Sequence, residues 1–394
     1  MIRNHLLSCV AMIAVTSLPL VARADTAAAP AAPAPVSLST PGMFGPLALN
    51  TNPYNFEAGQ FGKIYVSGIL SGLAMTQDHH VPGDHDSRLD LDNGQVFIQK
   101  IDGPVQFFAQ VGGYSLPSLG TSYFSMDKTT GNTFGALPVA YLKLAPSDSF
   151  SVIAGKLYTL IGTENTFTFQ NANIERGLLW NQTNAVNRGI QANYSKGAFS
   201  GSVALSDGFY SGDINWLSGL GTYTIDPNNS ITVIASGNIS RDGTSTFATP
   251  LAQNNSQIYD LNYSYTNGPW VLSPTLQYTH VPEDVSIGLA ASASTYGAGL
   301  TAKYSINSNW NIAGRAEYIS STGSATDGSP NLMYGPGSKA WSFTLTPTYQ
   351  YKIFFGRAEA SYVSASSTTP GSAFGSDGND KTQGRLLFET GILF

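Results

Sequence analysis

Two tetrapeptides repeat one pattern, Gly314-Arg315-Ala316-Glu317 and Gly356-Arg357-Ala358-Glu359. Opposite charges two residues apart share one face of a strand, because strand side chains alternate. Arg385 and Glu389 share a face in the same way near the last residue, and Lys303 falls on a matching face upstream. Lys143 and Lys156 are assigned to that interior face as well. Fixed charges along a narrow aqueous passage bias which ions and solutes cross it. The same groups could equally neutralise one another and brace an interior. Residues 162–185 add Glu164, Phe167, Phe169, Glu175, Arg176 and Trp180. So many apolar residues are out of place in a loop lying in water, so the segment is expected to tuck against a wall. Glu164 or Glu175 would then face Arg315 and Arg357 across a constriction and orient polar solutes.

A third cluster invites metal chemistry. His79, His80 and His85 stand among Asp78, Asp84, Asp86, Asp90 and Asp92. Carboxylates suit calcium and imidazoles suit transition metals. The spacing fits no established loop motif, so a solvated acidic loop is expected and no metal. His280, close to Glu283 and Asp284, could belong to a Ser–His–acid group. No serine is singled out by its local sequence, so catalysis is not expected and no cofactor is implied.

The elements that must hold these residues follow from composition and pattern. Arg3 and His5 precede an apolar run, Leu6 to Val15, and Ala22-Arg23-Ala24 closes the segment before Asp25. That order is a secretory signal peptide cleaved near Ala24. The single cysteine, Cys9, lies inside it, so disulfides and zinc-thiolate sites are excluded from the mature protein. Without Arg3 and Arg23, 17 of the 19 basic residues remain against 25 acidic ones, a formal net charge of −8. A nucleic-acid binder would need a basic stripe instead. Residues 25–60 read as an Ala/Pro-rich linker and N-terminal periplasmic segment.

From residue 61 to 394, short alternating segments are divided by turn signals such as Asp102-Gly103, Lys196-Gly197 and Asn267-Gly268. About sixteen strands are expected, joined by short turns at one end and long polar loops at the other. Aromatic residues recur eight apart on one strand face: Trp270 and Tyr278, Tyr296 and Tyr304, Trp310 and Tyr318, Trp341 and Tyr349, Phe354 and Tyr362. Eight residues span about 26 Å of strand, or roughly 20 Å of height at a tilt of ~40°. That matches the apolar band of a membrane barrel with an aromatic girdle at each rim. The expected fold is therefore all-β, a transmembrane antiparallel up-and-down β-barrel with short periplasmic turns and long extracellular loops. Its oily face points to lipid and its polar face inward.

The last strand, GRLLFETGILF, runs to Phe394 because closure must leave no edge unsatisfied in hydrocarbon. Phe388, Ile392 and Phe394 resemble the terminal signal read by the outer-membrane assembly machinery of Gram-negative bacteria. Asn52 to Gly59 with Gly62 to Gly68, and Asn171 to Trp180 with Asn187 to Gln191, resemble the OmpL-like β-barrel porins. The resemblance implies an outer-membrane channel without catalytic residues. A passive channel for small hydrophilic solutes or ions is the reading that follows, with outer-membrane lipid as its surroundings and a homotrimer conceivable. A barrel with an adhesive or structural role, or an embedded hydrolase, is the rival. No nucleic acid is implied.

Overall fold

The computed structural model describes residues 45–394. The signal peptide and the Ala/Pro stretch, residues 25–41, fall outside these residues. A short strand, β1 (Tyr54–Glu57), precedes β2 (Lys63–Gln77), β3 (Ser87–Lys100), β4 (Val105–Tyr114), β5 (Val139–Ser147) and β6 (Phe150–Tyr158). Next come β7 (Val186–Lys196), β8 (Phe199–Ser206), β9 (Trp216–Asp226), β10 (Asn229–Asn238) and β11 (Gln257–Asn267). The rest are β12 (Trp270–Val281), β13 (Ala293–Ser305), β14 (Trp310–Ser321), β15 (Lys339–Tyr351), β16 (Phe354–Ser366) and β17 (Thr382–Leu393).

Strands β2 to β17 pair antiparallel in sequence order, and β17 returns to β2, so sixteen strands close the barrel. The alternation decides which way each face points. Leu386 and Phe388 are 60% and 51% exposed, whereas their neighbours Arg385, Leu387 and Glu389 are buried. The girdle residues all lie on the outer face, and eight of the ten touch in pairs across strands. Trp270–Tyr304 and Trp310–Tyr349 ring centroids are 4.6 and 4.9 Å apart near the short turns. Tyr278–Tyr296 and Tyr318–Trp341 are 5.0 and 4.5 Å apart at the opposite rim. Glycines at φ +61° and +55°, Gly197 and Gly268, make two of the tight turns that only a residue without Cβ enters freely.

Three differences from the pattern reading have local causes. Strand β3 begins at Ser87, so loop 1 covers only 78–86, and Asp90 and Asp92 stand on the wall. A bulge skips Asp92 between the Ser71–Asn93 and Gly72–Leu91 pairs, which reverses the alternation midway and hides the strand from a period-two search. Loop 2, residues 115–138, contains a short helix, α1 (Met126–Asn132), and it also takes in residues 134–138, which were expected to begin a strand. Residues of the expected periplasmic segment are also not all outside the barrel. Strand β1 pairs with Lys63–Val66 of β2, beyond the point where β17 ends, and Leu47 is buried among Ile69, Phe97 and Phe108 of the inner wall.

The seam is fastened at its very end. Phe394 N–H donates to Gly68 O at 3.0 Å, and Gly68 N–H donates to Phe394 O at 2.8 Å. A Cβ on Gly68 would fall 2.6 Å from both the Phe394 ring and Gln95 O, so the terminal ring lies directly over this glycine. Gly68→Val should therefore displace the ring and loosen the seam. The check is the fraction of heat-resistant, fast-migrating barrel on electrophoresis, which should fall well below wild type, with Gly94→Ala as the control.

Candidate functional site

Loop 3, residues 159–185 between β6 and β7, does not reach outward; it folds into the lumen. Phe167, Phe169, Glu175 and Arg176 are fully buried there. A buried loop must place its backbone polar groups somewhere, and the inner wall supplies carboxylates for them. Glu317 of β14 accepts from Leu178 N and Leu179 N at 2.9 and 3.1 Å. Glu359 of β16 accepts from Ile174 N and Glu175 N at 2.5 and 2.9 Å. Each repeated tetrapeptide therefore presents a glutamate to two successive loop N–H groups.

The arginines of the same repeats take the loop's carbonyls and acids. Arg315 Nη1 donates to Glu175 O at 2.8 Å and pairs with Glu164, and its Nε lies 3.2 Å from Glu317. Arg357 Nη1 donates to Asn171 O at 3.1 Å, while its Nε donates to Glu389 at 3.0 Å. Arg385 Nη1 pairs with Glu175 at 2.6 Å and also donates to Ser118 O at 2.9 Å. The other Glu175 oxygen accepts from the Ser361 hydroxyl at 2.8 Å. Arg176 lies 5.0 Å over the Trp180 ring. Phe169 packs on Phe97 of β3 at 5.7 Å, and Phe167 meets Tyr114 edge-on at 5.1 Å.

These contacts revise the expected roles. Arg315, Glu317, Arg357, Glu359, Arg385 and Glu389 do face inward, but loop 3 covers them, and all six are at most 4% exposed. They anchor the loop rather than line open water. Glu164 and Glu175 touch the arginine wall instead of facing it across a gap. Lys156 is a clear correction. It pairs with Ala140 and Arg188 in register with outward-facing Ala154 and Ile190, so it lies on the outer face near the extracellular rim. There its Nζ donates to Phe134 O and Leu137 O at 3.1 and 2.9 Å. A cation is tolerated at that height because loop carbonyls, rather than lipid, surround it. Lys143 and Lys303 are half-buried on inward positions, and Phe388, Ile392 and Phe394 lie on the outer face.

The acidic loop 1 holds no converging ligand set; among the described residues no three of His, Cys, Asp and Glu come together. Asp84 instead accepts from Arg88, Tyr123 N, Gln77 and His85 N at 2.8 to 3.0 Å, tying loop 1 to loop 2. His280 Nδ1 lies 2.9 Å from Ser294 Oγ on the outer face, while Asp284 pairs with Arg241 at 2.6 Å. Among the described residues His280 thus meets a serine but pairs with neither Glu283 nor Asp284.

Composition and pattern missed the segment Gly45–Leu49. Gly45 N donates to Gln170 O of loop 3 at 2.7 Å. Ala48 exchanges two 2.8 Å hydrogen bonds with the Gln350 side chain, which faces inward from the periplasmic end of β15. A side chain on Gly45 would meet Asn171 O at 2.3 Å. The alternate apolar residues Leu47 and Leu49 were the available signal, masked by the Ala/Pro stretch before them.

A closed sixteen-strand barrel with aromatic rims and its third loop folded inward defines an outer-membrane porin-type protein. The chain belongs to the family described as "Putative beta-barrel porin-2, OmpL-like", whose model matches residues 63–394. Among solved structures, the outer-membrane channel DcaP of Acinetobacter baumannii aligns with a TM-score of 0.58 at 12% identity, over 87% of this chain and 99% of that one. Outer-membrane expressed OmpT of Vibrio cholerae gives 0.56 at 10%, over 85% and 99%. Salmonella typhi OmpF, in complex with daunomycin, gives 0.55 at 13%, over 86% and 100%. At such identities the likeness is one of fold. No curated protein sequence matches. Membership of this family places the chain in the outer membrane of a Gram-negative bacterium.

Arg385→Ala should leave Glu175 buried without its cation, destabilising the barrel by about 3–5 kcal/mol. Arg385→Met combined with Glu175→Met should lose less than half of that; denaturant titration of tryptophan fluorescence in detergent measures both. At loop 1, burial pushes the Asp84 carboxyl up, but the bonds from Arg88, Tyr123 N, Gln77 and His85 N outweigh it and hold it below its ordinary value of 3.8. Its stabilisation is therefore fully present above that value and lost as pH falls through the lowered folded value. Asp84→Asn should open loop 2 to protease at neutral pH, as strong acid does to the wild type; cleavage within 115–138, followed by mass spectrometry, reports both.

Proposed function

We propose that this protein is a passive diffusion channel for small hydrophilic solutes, with loop 3 setting the size limit. One observation carries the reading. A loop of polar backbone is fixed inside a wet-faced barrel by carboxylates and guanidinium groups of the wall, an arrangement that narrows the lumen without depending on any moving part. The segment Gly45–Leu49 narrows it further from the periplasmic side. Interior side chains then replace part of a solute's hydration while it passes. Phe388, Ile392 and Phe394 are the residues we assign to recognition by the assembly machinery.

Single-channel recording in planar bilayers tests the reading. Wild type should show voltage-independent, ohmic steps. A variant whose mature chain starts at Asn50, which removes Gly45–Leu49 while retaining β1, should show larger ones. Absence of steps from correctly folded protein, in wild type and truncated variant alike, rejects the channel. Reversal of Arg357 to Glu should give little folded protein rather than altered selectivity, since it would set a second buried acid against Glu389, the partner of Arg357.

A further inference from the structure

The inward faces of the barrel divide by angle into three kinds of wall. On β14 to β17 they carry the arginines and glutamates that hold loop 3. On β2 to β6 they carry Ile69, Phe97 and Phe108, packed against Phe167, Phe169 and Leu47. On β7 to β13 the alternation places hydroxyls and amides inward, among them Asn193, Ser202, Ser218, Ser236, Asn262 and Thr275, around an apolar patch of Trp216, Leu220, Ile234 and Ile258. Apart from Asp226 at a periplasmic turn, the ionisable groups on that wall are Asp260 and Lys303. Asp260 accepts from Gly162 N at 2.9 Å, at the foot of loop 3.

A cleft separates loop 3 from this third wall. Ser273, Thr275 and Gln277 line it on the β12 side, and Thr163, Leu179 and Trp180 on the loop side. Ser273 Oγ, Thr275 Oγ1 and Gln277 Oε1 have no hydrogen-bond partner in the protein, although the three residues are only 5–6% exposed. Both amide atoms of Asn262, on the adjacent strand, are unpartnered as well. The charged groups that reach the cleft, Glu164, Arg315 and Glu317, are paired among themselves.

We propose that solutes pass along the β7–β13 wall and that the cleft selects neutral polyhydroxylated molecules, sugars or polyols, over ions of either sign. This rests on the channel reading above. A sugar hydroxyl both donates and accepts, so it matches a rail of Ser, Thr and Gln side chains regardless of their orientation. Its C–H faces suit the apolar loop side formed by Leu179 and Trp180. An ion entering the same cleft must shed water against dipoles, an anion meets no free cation there among the described residues, and the one spare carboxylate oxygen, Asp260 Oδ1, is a single partner for a cation.

Proteoliposome swelling with glucose, gluconate and glucosamine tests this, together with the reversal potential in a KCl gradient. Glucose should enter faster than either charged analogue, and the potassium-to-chloride permeability ratio should stay within about threefold of one. Thr275→Glu should slow glucose by roughly tenfold and turn the channel cation-selective, whereas Thr275→Val should slow glucose and leave ion selectivity unchanged. Faster entry of gluconate or glucosamine than glucose, or strong ion selectivity in the wild type, overturns the proposal while the channel stands. So does a well-folded Thr275→Val with unchanged glucose flux. If no solute enters and no current flows, the channel reading itself falls, and the proposal with it.

Discussion

Inside hydrocarbon a strand edge has no water to bond with, so each N–H and C=O along the edges of sixteen strands must be met by a neighbouring strand. Everything else in this molecule follows from that requirement. It makes the sheet close, and it brings β17 back to β2 with Phe394 bonded to Gly68. It also forces one face of every strand toward lipid and the other toward the lumen. Once closure is fixed, residues far apart in sequence, such as Glu317 and Leu178, have a common interior in which to meet.

The same demand recurs at smaller scale within the lumen. Loop 3 carries backbone groups into a buried space without the ladder that a strand would give it. The wall answers with glutamates that each accept two successive N–H groups, and with arginines that take carbonyls and acids. Breaking such a pair on one side leaves a buried charge, which is much worse than removing both. The constriction is therefore a rigid feature of the fold. The charges that look in sequence like a selectivity filter are used up in building it.

Much of the architecture was legible because a membrane barrel writes its constraints locally. All sixteen barrel strands could be placed from alternation, turn residues and the eight-residue aromatic interval, most within a few residues of their ends. The failures are physical and few. The bulge at Asp92 breaks the period of β3, so residues 87–93 read as loop. Lys156 was assigned to the interior although it sits in register with Ala140 and Arg188 on the outer face, held by carbonyls of loop 2. Leu47 and Leu49 were hidden behind a low-complexity stretch.

By itself, the sequence determined which faces are oily, where the strands turn, and that Arg and Glu of both repeats point inward, because alternation is a property of a single strand. Only the tertiary structure decided what those inward groups do. Whether Glu317 or Glu359 meets water, another side chain or a loop N–H depends on where residues 159–185 travel, and that path is set by contacts more than a hundred residues apart. No local pattern encodes such distances; the closed wall imposes them.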